Sequence, residues 1–301
     1  MSGSALLKQT IHDLVIANRI LANEGVVDVF GHISVRHPER ADRYLLARSR
    51  APLLVEAADI MEYDLDSNPI DPRGRVMYFE RFIHGEVFKA RPDVMSVCHN
   101  HAYPLLPFSV SGNSIRPIAV PSVSLGREIP IWDIRDDFPD DGELMVTNNA
   151  SGRSLQQALG KGAACLMRGH GTVVATLDLK NTVFTSIALK VNAELLMNAH
   201  MLRLSTGRGN IKYLTDKEID TQVKTLQLSV GLNRSWEYYA MRSGMKTSIN
   251  DDRPSKASKK PAKSAKAAKG AKSSKAGKAA RPVARRSARS AKPVKAKKKP
   301  A

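Results

Sequence analysis

The stretch Val94-Met95-Ser96-Val97-Cys98-His99-Asn100-His101 decides how this sequence is interpreted, because an apolar run ends in two histidines. The run has the composition of a β-strand, and residues two apart on a strand project from the same face. His99 and His101 can therefore reach one point. A histidine pair at a strand end also occurs as a surface or structural pair, so these two residues alone do not establish a metal site.

A second histidine signal, Gly169-His170-Gly171, follows the apolar run Ala163–Met167. A catalytic zinc-type site needs about three protein ligands and one open position for water or substrate. His170 is the natural third ligand, and one metal ion would explain both signals. The sequence therefore predicts a divalent metal site.

The charge of the chain is concentrated at one end. The 301 residues carry a formal net charge of +18, which by itself is typical of nucleic-acid-binding proteins. Residues 255–301 contain 14 Lys, 4 Arg and no acidic residue, whereas residues 1–254 contain 29 basic and 29 acidic residues. The first 254 residues are therefore neutral overall, and the whole imbalance belongs to the tail.

The tail consists mostly of Lys, Ala, Ser, Pro, Arg and Gly and has no aromatic residue. Such a segment cannot bury enough apolar surface to offset its ordering entropy, so we expect residues 251–301 to be disordered. A basic tail attracts nucleic acid or other polyanions without sequence preference, or it is simply a solvated extension. The composition leaves both interpretations open.

Two cysteines, Cys98 and Cys165, both lie in apolar runs, where buried reduced thiols are expected. The N-terminus lacks the pattern of a secretory signal, and no segment approaches the ~18 apolar residues that a membrane span needs. The sequence therefore predicts a cytoplasmic protein without membrane association.

Strand-like and helical segments alternate over residues 1–250, which favours an α/β domain. Apolar residues at helical spacing predict helices over Ser4–Ala22, Val76–Ala90 and Lys180–Arg203. Gly25–Arg36 carries β-branched residues between glycines and predicts a pair of strands with a tight connection.

Together these motifs resemble the class II aldolase/adducin family over roughly residues 7–242. The residues that carry the resemblance are Gly31–Ser34, Asp59-Ile60, Asp64–Asp66, Glu80, Arg91–Asp93, His99–Ala102 and Arg168–Gly171. The resemblance implies a single three-layer domain with a central, mainly antiparallel sheet flanked by helices. It also implies a homo-oligomer, commonly a tetramer with sites near its interfaces.

The resemblance makes His99, His101 and His170 ligands of a divalent cation, usually Zn²⁺, with Mn²⁺, Co²⁺ or Fe²⁺ as alternatives. Glu80 matches the acid/base carboxylate of the family. Three neutral imidazoles leave the charge of the cation uncompensated, which favours a carboxylate nearby. The plain alternative for Glu80 is a solvated carboxylate on a helix.

The sequence departs from the sugar-phosphate aldolases where these bind phosphate. The corresponding places hold Gly31–Ser34, Arg48-Ser49-Arg50 and Tyr78-Phe79, so the phosphate-binding residues are missing. Arg48 and Arg50 carry planar guanidinium groups suited to a carboxylate, and we expect both, with Ser49, to bind a carboxylate substrate.

With Ser49–Pro52, Cys98–Tyr103 and Trp132–Asp136, the pattern is most similar to the decarboxylase branch, which acts on dihydroxyphthalate-type or carboxy-muconate semialdehyde-type compounds. The resemblance implies decarboxylation of a small hydroxylated or oxo-substituted, aromatic-derived acid through a metal-stabilised enolate. Retro-aldol cleavage of a non-phosphorylated substrate passes through a similar enolate, and an adducin-like scaffold without activity is a third alternative.

Three further residues are candidates for the site. His32 and His84 suit proton transfer or binding of a substrate carboxylate, although each is equally explained as a core or helix-surface histidine. The family resemblance implies that Tyr103 reaches the site of a neighbouring subunit.

Overall fold

The computed structural model describes residues 4–140, 142–226 and 229–247. Its strands are β1 His32–His37, β2 Arg40–Ala47, β3 Ile60–Asp64, β4 Ser96–Asn100, β5 Ile131–Trp132, β6 Ala164–Met167 and β7 Gly171–Thr176. Its helices are α1 Ala5–Asn23, α2 Arg81–Ala90, α3 Leu106–Ser111, α4 Asn149–Leu159, α5 Leu179–Thr206, α6 Asp216–Leu226 and α7 Ser229–Arg242.

The strands form one sheet in the order β3-β2-β1-β4-β7-β6-β5. Neighbouring strands are antiparallel except β5 and β6, which are parallel. β4 lies between β1 and β7, and its register places His99 opposite His32 on one side and Val173 on the other. The centre of the sheet therefore carries the histidine signals.

Adjacent residues of the central strands enter two different hydrophobic cores, as the two-residue period of a strand requires. Cys98 and Val174 pack in the core that contains most of the buried face of α1 and of α5. Val97 and Val173 pack in the core that contains the buried residues of α2 and α4. Helices thus cover both faces, which confirms the predicted three-layer α/β fold with a mainly antiparallel sheet.

The predicted strand pair over Gly25–Arg36 is wrong, because only β1 forms there and its hairpin partner is β2. Residues 24–31 form a loop instead. The Asp28 carboxylate accepts the backbone N–H groups of Phe30 and Gly31 and so closes a turn. Val26 and Val27, the residues that suggested a strand, are buried in the core from this loop.

The predicted helix over Val76–Ala90 begins later, at Arg81. The backbone N–H of Ser49 donates to the carbonyl oxygen of Val76 at 2.7 Å, so this part of the chain pairs with a loop rather than with its own helix. Val76 and Phe79, two of the apolar residues whose helical spacing suggested this helix, are exposed. Glu80 is therefore the residue that precedes the helix, and not part of its second turn.

Among the described residues, no helix combines the length and the apolar character that crossing a bilayer requires. Cys98 and Cys165 are free and buried, as predicted. The predicted tail, residues 251–301, lies outside the described residues.

Candidate metal centre

His99 lies on the face of β4 that is covered by α2, and His101 follows directly after the strand ends at Asn100. The His99 side chain is fully buried, and its Nε2 atom lies 3.0 Å from Nε2 of His101. The predicted convergence of these two histidines is therefore present, although the two rings are nearly perpendicular to each other.

His170 lies in the tight turn between β6 and β7. Gly169 adopts a left-handed conformation with φ +65°, which glycine accommodates without strain. Gly171 packs so closely that a Cβ atom there would lie 2.8 Å from Cδ2 of His101 and would also clash with the carbonyl oxygen of Asn100. The two glycines therefore place the third histidine beside the first two.

Glu80 completes the group from the opposite side, where the chain enters α2. Its Oε2 atom lies 3.3 Å from Nε2 of His99 and 3.4 Å from Nε2 of His170. Its Oε1 atom accepts the backbone N–H of Val146 at 3.0 Å. One carboxylate oxygen is thus fixed by the backbone, while the other faces the imidazoles.

The Nδ1 atoms of the histidines point away from the centre, toward groups that only accept hydrogen bonds. His99 Nδ1 lies 3.2 Å from the carbonyl oxygen of Thr172, and His170 Nδ1 lies 2.5 Å from that of Leu144. His101 Nδ1 lies 3.2 Å from both carboxylate oxygens of Asp28. Each Nδ1 must therefore carry the proton, which leaves a lone pair on each Nε2.

The residues present fit a divalent metal ion. One ligand atom from each of Glu80, His99, His101 and His170 lies within 4.8 Å of the others. Three imidazole lone pairs and a carboxylate oxygen form a donor set that suits Zn²⁺ and related cations.

The protonation equilibria of the group follow from burial and from the charge of Glu80. Burial raises the pKa of Glu80, but His99 and His170 outweigh it, so this pKa lies well below its ordinary value. Burial lowers the pKa of His101 to about 4, despite the opposing charge of Asp28. Burial also lowers the pKa of His170, but Glu80 stabilises the protonated ring, whose Nε2–H faces its carboxylate, so that this pKa is raised in the absence of metal.

His32 and His84 lie behind the metal-binding histidines in a buried hydrogen-bonded chain. His32 Nδ1 lies 2.7 Å from His84 Nε2, and His84 Nδ1 lies 2.6 Å from Oγ of Ser34. The His32 ring centroid lies 5.2 Å from that of His99. Burial is the largest cause that lowers the pKa of His84, to about 3, and it also holds that of His32 well below its ordinary value.

Arg48 and Arg50 do not lie free in the site, because both bind the buried carboxylate of Asp59. Arg48 Nε lies 2.7 Å from one oxygen and Arg50 Nη1 lies 2.8 Å from the other. Their side chains remain 35% and 28% exposed, so neither guanidinium is closed off from solvent. The loop continues toward the site through Arg50, whose carbonyl oxygen accepts the hydroxyl of Tyr78.

Tyr78 connects this loop to the histidines, since its ring centroid lies 4.4 Å from that of His32. Tyr103, by contrast, is 71% exposed, and the backbone N–H of Ser49 binds the carbonyl oxygen of the exposed Val76. The structure therefore brings together Glu80, His32, His84 and the three predicted ligands, whereas no hydrogen bond, ion pair or ring contact among the described residues joins Arg48, Ser49 or Tyr103 to them.

Three residues of the site were not singled out from the sequence, Asp28, Leu144 and Val146, and Ser34 appeared only as part of the Gly31–Ser34 motif. Leu144 has a positive φ of 56°, uncommon for leucine, and its carbonyl oxygen faces His170. The contacts of Leu144 and Val146 come from a loop with no pattern of its own. Asp28 lies three residues before Gly31, a spacing compatible with a turn, but its contact with His101 depends on the sheet register.

Comparison with known proteins is consistent with this geometry. Residues 12–197 match the family model described as the class II aldolase and adducin N-terminal domain. The chain is 31% identical to the decarboxylase tropJ of Talaromyces stipitatus over 73% of this chain and 88% of that protein. It is 28% identical to the 3,4-dihydroxyphthalate decarboxylase of Arthrobacter keyseri over 76% of this chain and 92% of that protein.

Solved structures share the fold. An L-fuculose 1-phosphate aldolase from Glaciozyma antarctica superposes with a TM-score of 0.63 at 21% identity, over 79% of this chain and 90% of that chain. An aldolase II superfamily protein from Pseudomonas syringae superposes with a TM-score of 0.66 at 18% identity, over 80% of this chain and 94% of that one. Together, the sequence relatives and the fold support a lyase of the decarboxylase or aldolase kind.

Proposed function

Because this chain belongs to the class II aldolase and adducin N-terminal domain family, we propose that it is a divalent-metal-dependent decarboxylase. Its substrate is a small hydroxylated or oxo-substituted, aromatic-derived carboxylic acid. The observation that carries the proposal is the convergence of three imidazole Nε2 atoms beside the carboxylate of Glu80. The similarity to two proteins named as decarboxylases supports this reaction over others of the family.

His99, His101 and His170 would hold the metal ion, with Zn²⁺ as the first choice and Mn²⁺, Co²⁺ or Fe²⁺ as alternatives. When bound, a divalent cation supplies Lewis acidity, which draws electron density from substrate oxygens. This explains why decarboxylation of a hydroxy or oxo acid suits the site.

Glu80 is the proton-carrying group of the proposed reaction. Val146 holds Oε1, so Oε2 is the atom that takes up a proton from water and delivers it to the carbon from which carbon dioxide has left. His32 lies beside the ligand His99 and is oriented through His84, which in turn contacts Ser34. We assign His32 and His84 to holding the substrate and assisting proton transfer.

The remaining donors of Arg48 and Arg50, together with Ser49, would bind the substrate carboxylate, because one guanidinium uses only part of its hydrogen-bonding capacity on Asp59. We further propose a homotetramer in which the exposed Tyr103 reaches the site of a neighbouring subunit. The two buried free thiols suit the reducing cytoplasm, where we place the protein.

Aldol cleavage of a non-phosphorylated substrate is the rival activity, since the same Lewis-acid geometry serves both reactions. A scaffold without activity is disfavoured by the complete set of metal-binding side chains, which a scaffold does not need.

Elemental analysis of the purified protein tests the metal. We expect about one divalent ion per chain, lost in His99→Ala and His101→Ala and kept in the control His200→Ala, whose residue lies on α5. A folded wild-type protein without a divalent ion would contradict both enzymatic proposals.

Product analysis then separates the two reactions. With 3,4-dihydroxyphthalate and related hydroxy acids as substrates, the decarboxylase proposal predicts release of carbon dioxide. Release of an aldehyde without carbon dioxide would instead assign aldol cleavage.

A further inference from the structure

Asp28 stands out among the residues around the metal centre because it contacts a ligand without belonging to the ligand group. Both of its carboxylate oxygens lie 3.2 Å from Nδ1 of His101. It is not among the side chains that converge on one point, which are Glu80 and the three histidines. Its contact is therefore directed at the far side of the imidazole ring.

The carboxylate of Asp28 is held in place before any ligand binds. Its Oδ1 atom accepts the backbone N–H groups of Phe30 at 2.9 Å and of Gly31 at 3.0 Å. These bonds close the loop that leads into β1, so the carboxylate is part of a turn and not a freely rotating side chain.

Among the described residues, Asp28 is also the only charged group that contacts the Nδ1 atom of any of the three histidines. The corresponding partners of His99 and His170 are the backbone carbonyl oxygens of Thr172 and Leu144. A divalent cation with three neutral imidazoles and the carboxylate of Glu80 would keep one net positive charge. The carboxylate of Asp28 would bring the charge of the whole group to zero.

We propose that Asp28 is a positioning residue that fixes His101 in the tautomer with its Nε2 lone pair directed at the metal, and that its charge strengthens metal binding. This inference rests on the proposed metal dependence and deepens it. A carboxylate that accepts the other N–H of a metal-binding histidine makes the ring a stronger ligand, and its loss commonly weakens metal affinity roughly 10- to 100-fold.

Asp28→Asn is the informative variant, because the backbone bonds fix the orientation of the new amide. Phe30 and Gly31 need an acceptor at the Oδ1 position, so the amide NH₂ would occupy the Oδ2 position, and both positions lie 3.2 Å from Nδ1 of His101. The variant therefore removes the negative charge and places an NH₂ donor beside Nδ1, which weakens the preference for the tautomer with its proton on Nδ1.

The experiment measures Zn²⁺ affinity of metal-free wild type and variants by competition with a chromophoric chelator, and the visible absorption of the Co²⁺-loaded proteins. The matched control is Asp178→Asn, an aspartate that accepts a backbone N–H at the start of α5. We expect Asp28→Asn to weaken Zn²⁺ binding roughly 10- to 100-fold and to shift the Co²⁺ bands. The unfolding midpoint of the metal-free variant should stay close to that of wild type.

Zn²⁺ affinity of Asp28→Asn within threefold of wild type would overturn the inference and leave the proposed metal dependence intact. An equal loss of Zn²⁺ affinity in Asp178→Asn would also overturn it, since the loss would then follow from replacing an aspartate that accepts a backbone N–H, and not from the contact with His101. A wild-type protein that binds neither Zn²⁺ nor Co²⁺ would overturn both this inference and the proposed metal dependence.

Discussion

The Nε2 atoms of His99 and His101 lie 3.0 Å apart. Neither Nε2 carries a proton in the neutral ring, because the proton of each ring is on Nδ1, where it is donated to another acceptor. Two lone pairs at this distance repel each other, whereas a cation bound between them would be attracted to both. The side chains are therefore arranged for a bound ion, and the folded state should gain stability from it.

Removing the metal should lower thermal stability. At a free metal concentration of 100 times the dissociation constant, binding stabilises the folded state by ~2.7 kcal/mol. For a domain of this size that corresponds to a decrease in Tm of roughly 5–10 °C when a chelator is added. Differential scanning calorimetry with and without chelator measures the decrease. His99→Ala is the control, because its Tm should not respond to the chelator; an unresponsive wild type would contradict the prediction.

Replacing Glu80 with glutamine should lower kcat by roughly 10²- to 10⁴-fold, because the group that carries the proton is lost. The metal content should remain near that of wild type, since the three histidines are unchanged. Glu86→Gln is a matched control on α2, the helix that Glu80 precedes: Glu86 is also buried but pairs with Lys89 and Arg153 outside the site. Steady-state kinetics of both variants tests this prediction. If kcat of Glu80→Gln lies within threefold of the wild-type value, Glu80 does not carry the proton.

Replacing Arg50 with alanine should raise KM for the carboxylate substrate about tenfold and leave kcat within about threefold, because a charge-assisted hydrogen bond of ~1.4 kcal/mol is lost. Arg73→Ala is the control, since Arg73 forms an exposed pair with Asp71 in another loop. The competing result is an unchanged KM with a lower Tm. In that case the only role of Arg50 would be to hold the loop against Asp59.

The buried histidines should make stability sensitive to acid. His84 is neutral in the folded protein because burial lowers its pKa to about 3, whereas in the unfolded chain it takes up a proton near pH 6.5. The unfolded state thus binds more protons between these values, and stability falls as pH decreases through that window, by up to ~1.4 kcal/mol per pH unit. Urea unfolding of the metal-free protein at pH 7, 6 and 5 measures this slope.

His84→Gln removes this titration, so its stability should decrease less steeply with acid than that of wild type. His200→Gln, on the outer part of α5, should keep the wild-type slope. The comparison uses slopes, so an overall loss of stability in the variant does not affect it. Equal slopes for wild type and His84→Gln would show that His84 is not the responsible group.

Removing residues 255–301 should abolish salt-sensitive retention on DNA and leave turnover unchanged. The segment carries 14 Lys and 4 Arg, and non-specific binding to DNA scales with the number of neutralised phosphates. A full-length variant with the tail lysines changed to glutamine separates charge from length. Retention that survives the deletion would place the DNA-binding surface within the first 254 residues.

The convergence of the candidate metal ligands was predictable from the sequence because it is largely local. His99 and His101 lie two residues apart at the end of one strand, and His170 is placed by a glycine-flanked turn. Glu80 and the family resemblance completed the set. The alternation of strands and helices indicated the α/β class, and the family resemblance supplied the three layers and the mainly antiparallel sheet.

The contacts that orient the ligands were not predictable in the same way. Asp28 reaches His101 across 73 residues of sequence, and that distance is closed only by the pairing of β1 with β4. The later start of α2 has a similar cause, because the bond between Ser49 and Val76 is a tertiary contact that overrides helical spacing. Arg48 and Arg50 were predicted to bind a substrate carboxylate, and Asp59, although part of the family motif, carried no local signal that its buried carboxylate pairs with both.

The contact between β4 and β7 has a consequence for folding. His99 lies on β4 and His170 lies in the turn directly before β7, and these two strands are far apart in sequence, as the bond from His99 to Thr172 across 73 residues shows. A partly folded chain in which these strands have not yet paired would offer His99 and His101 without His170. Metal should therefore slow unfolding more than it accelerates refolding, since it binds tightly only after the longest loop of the sheet has closed.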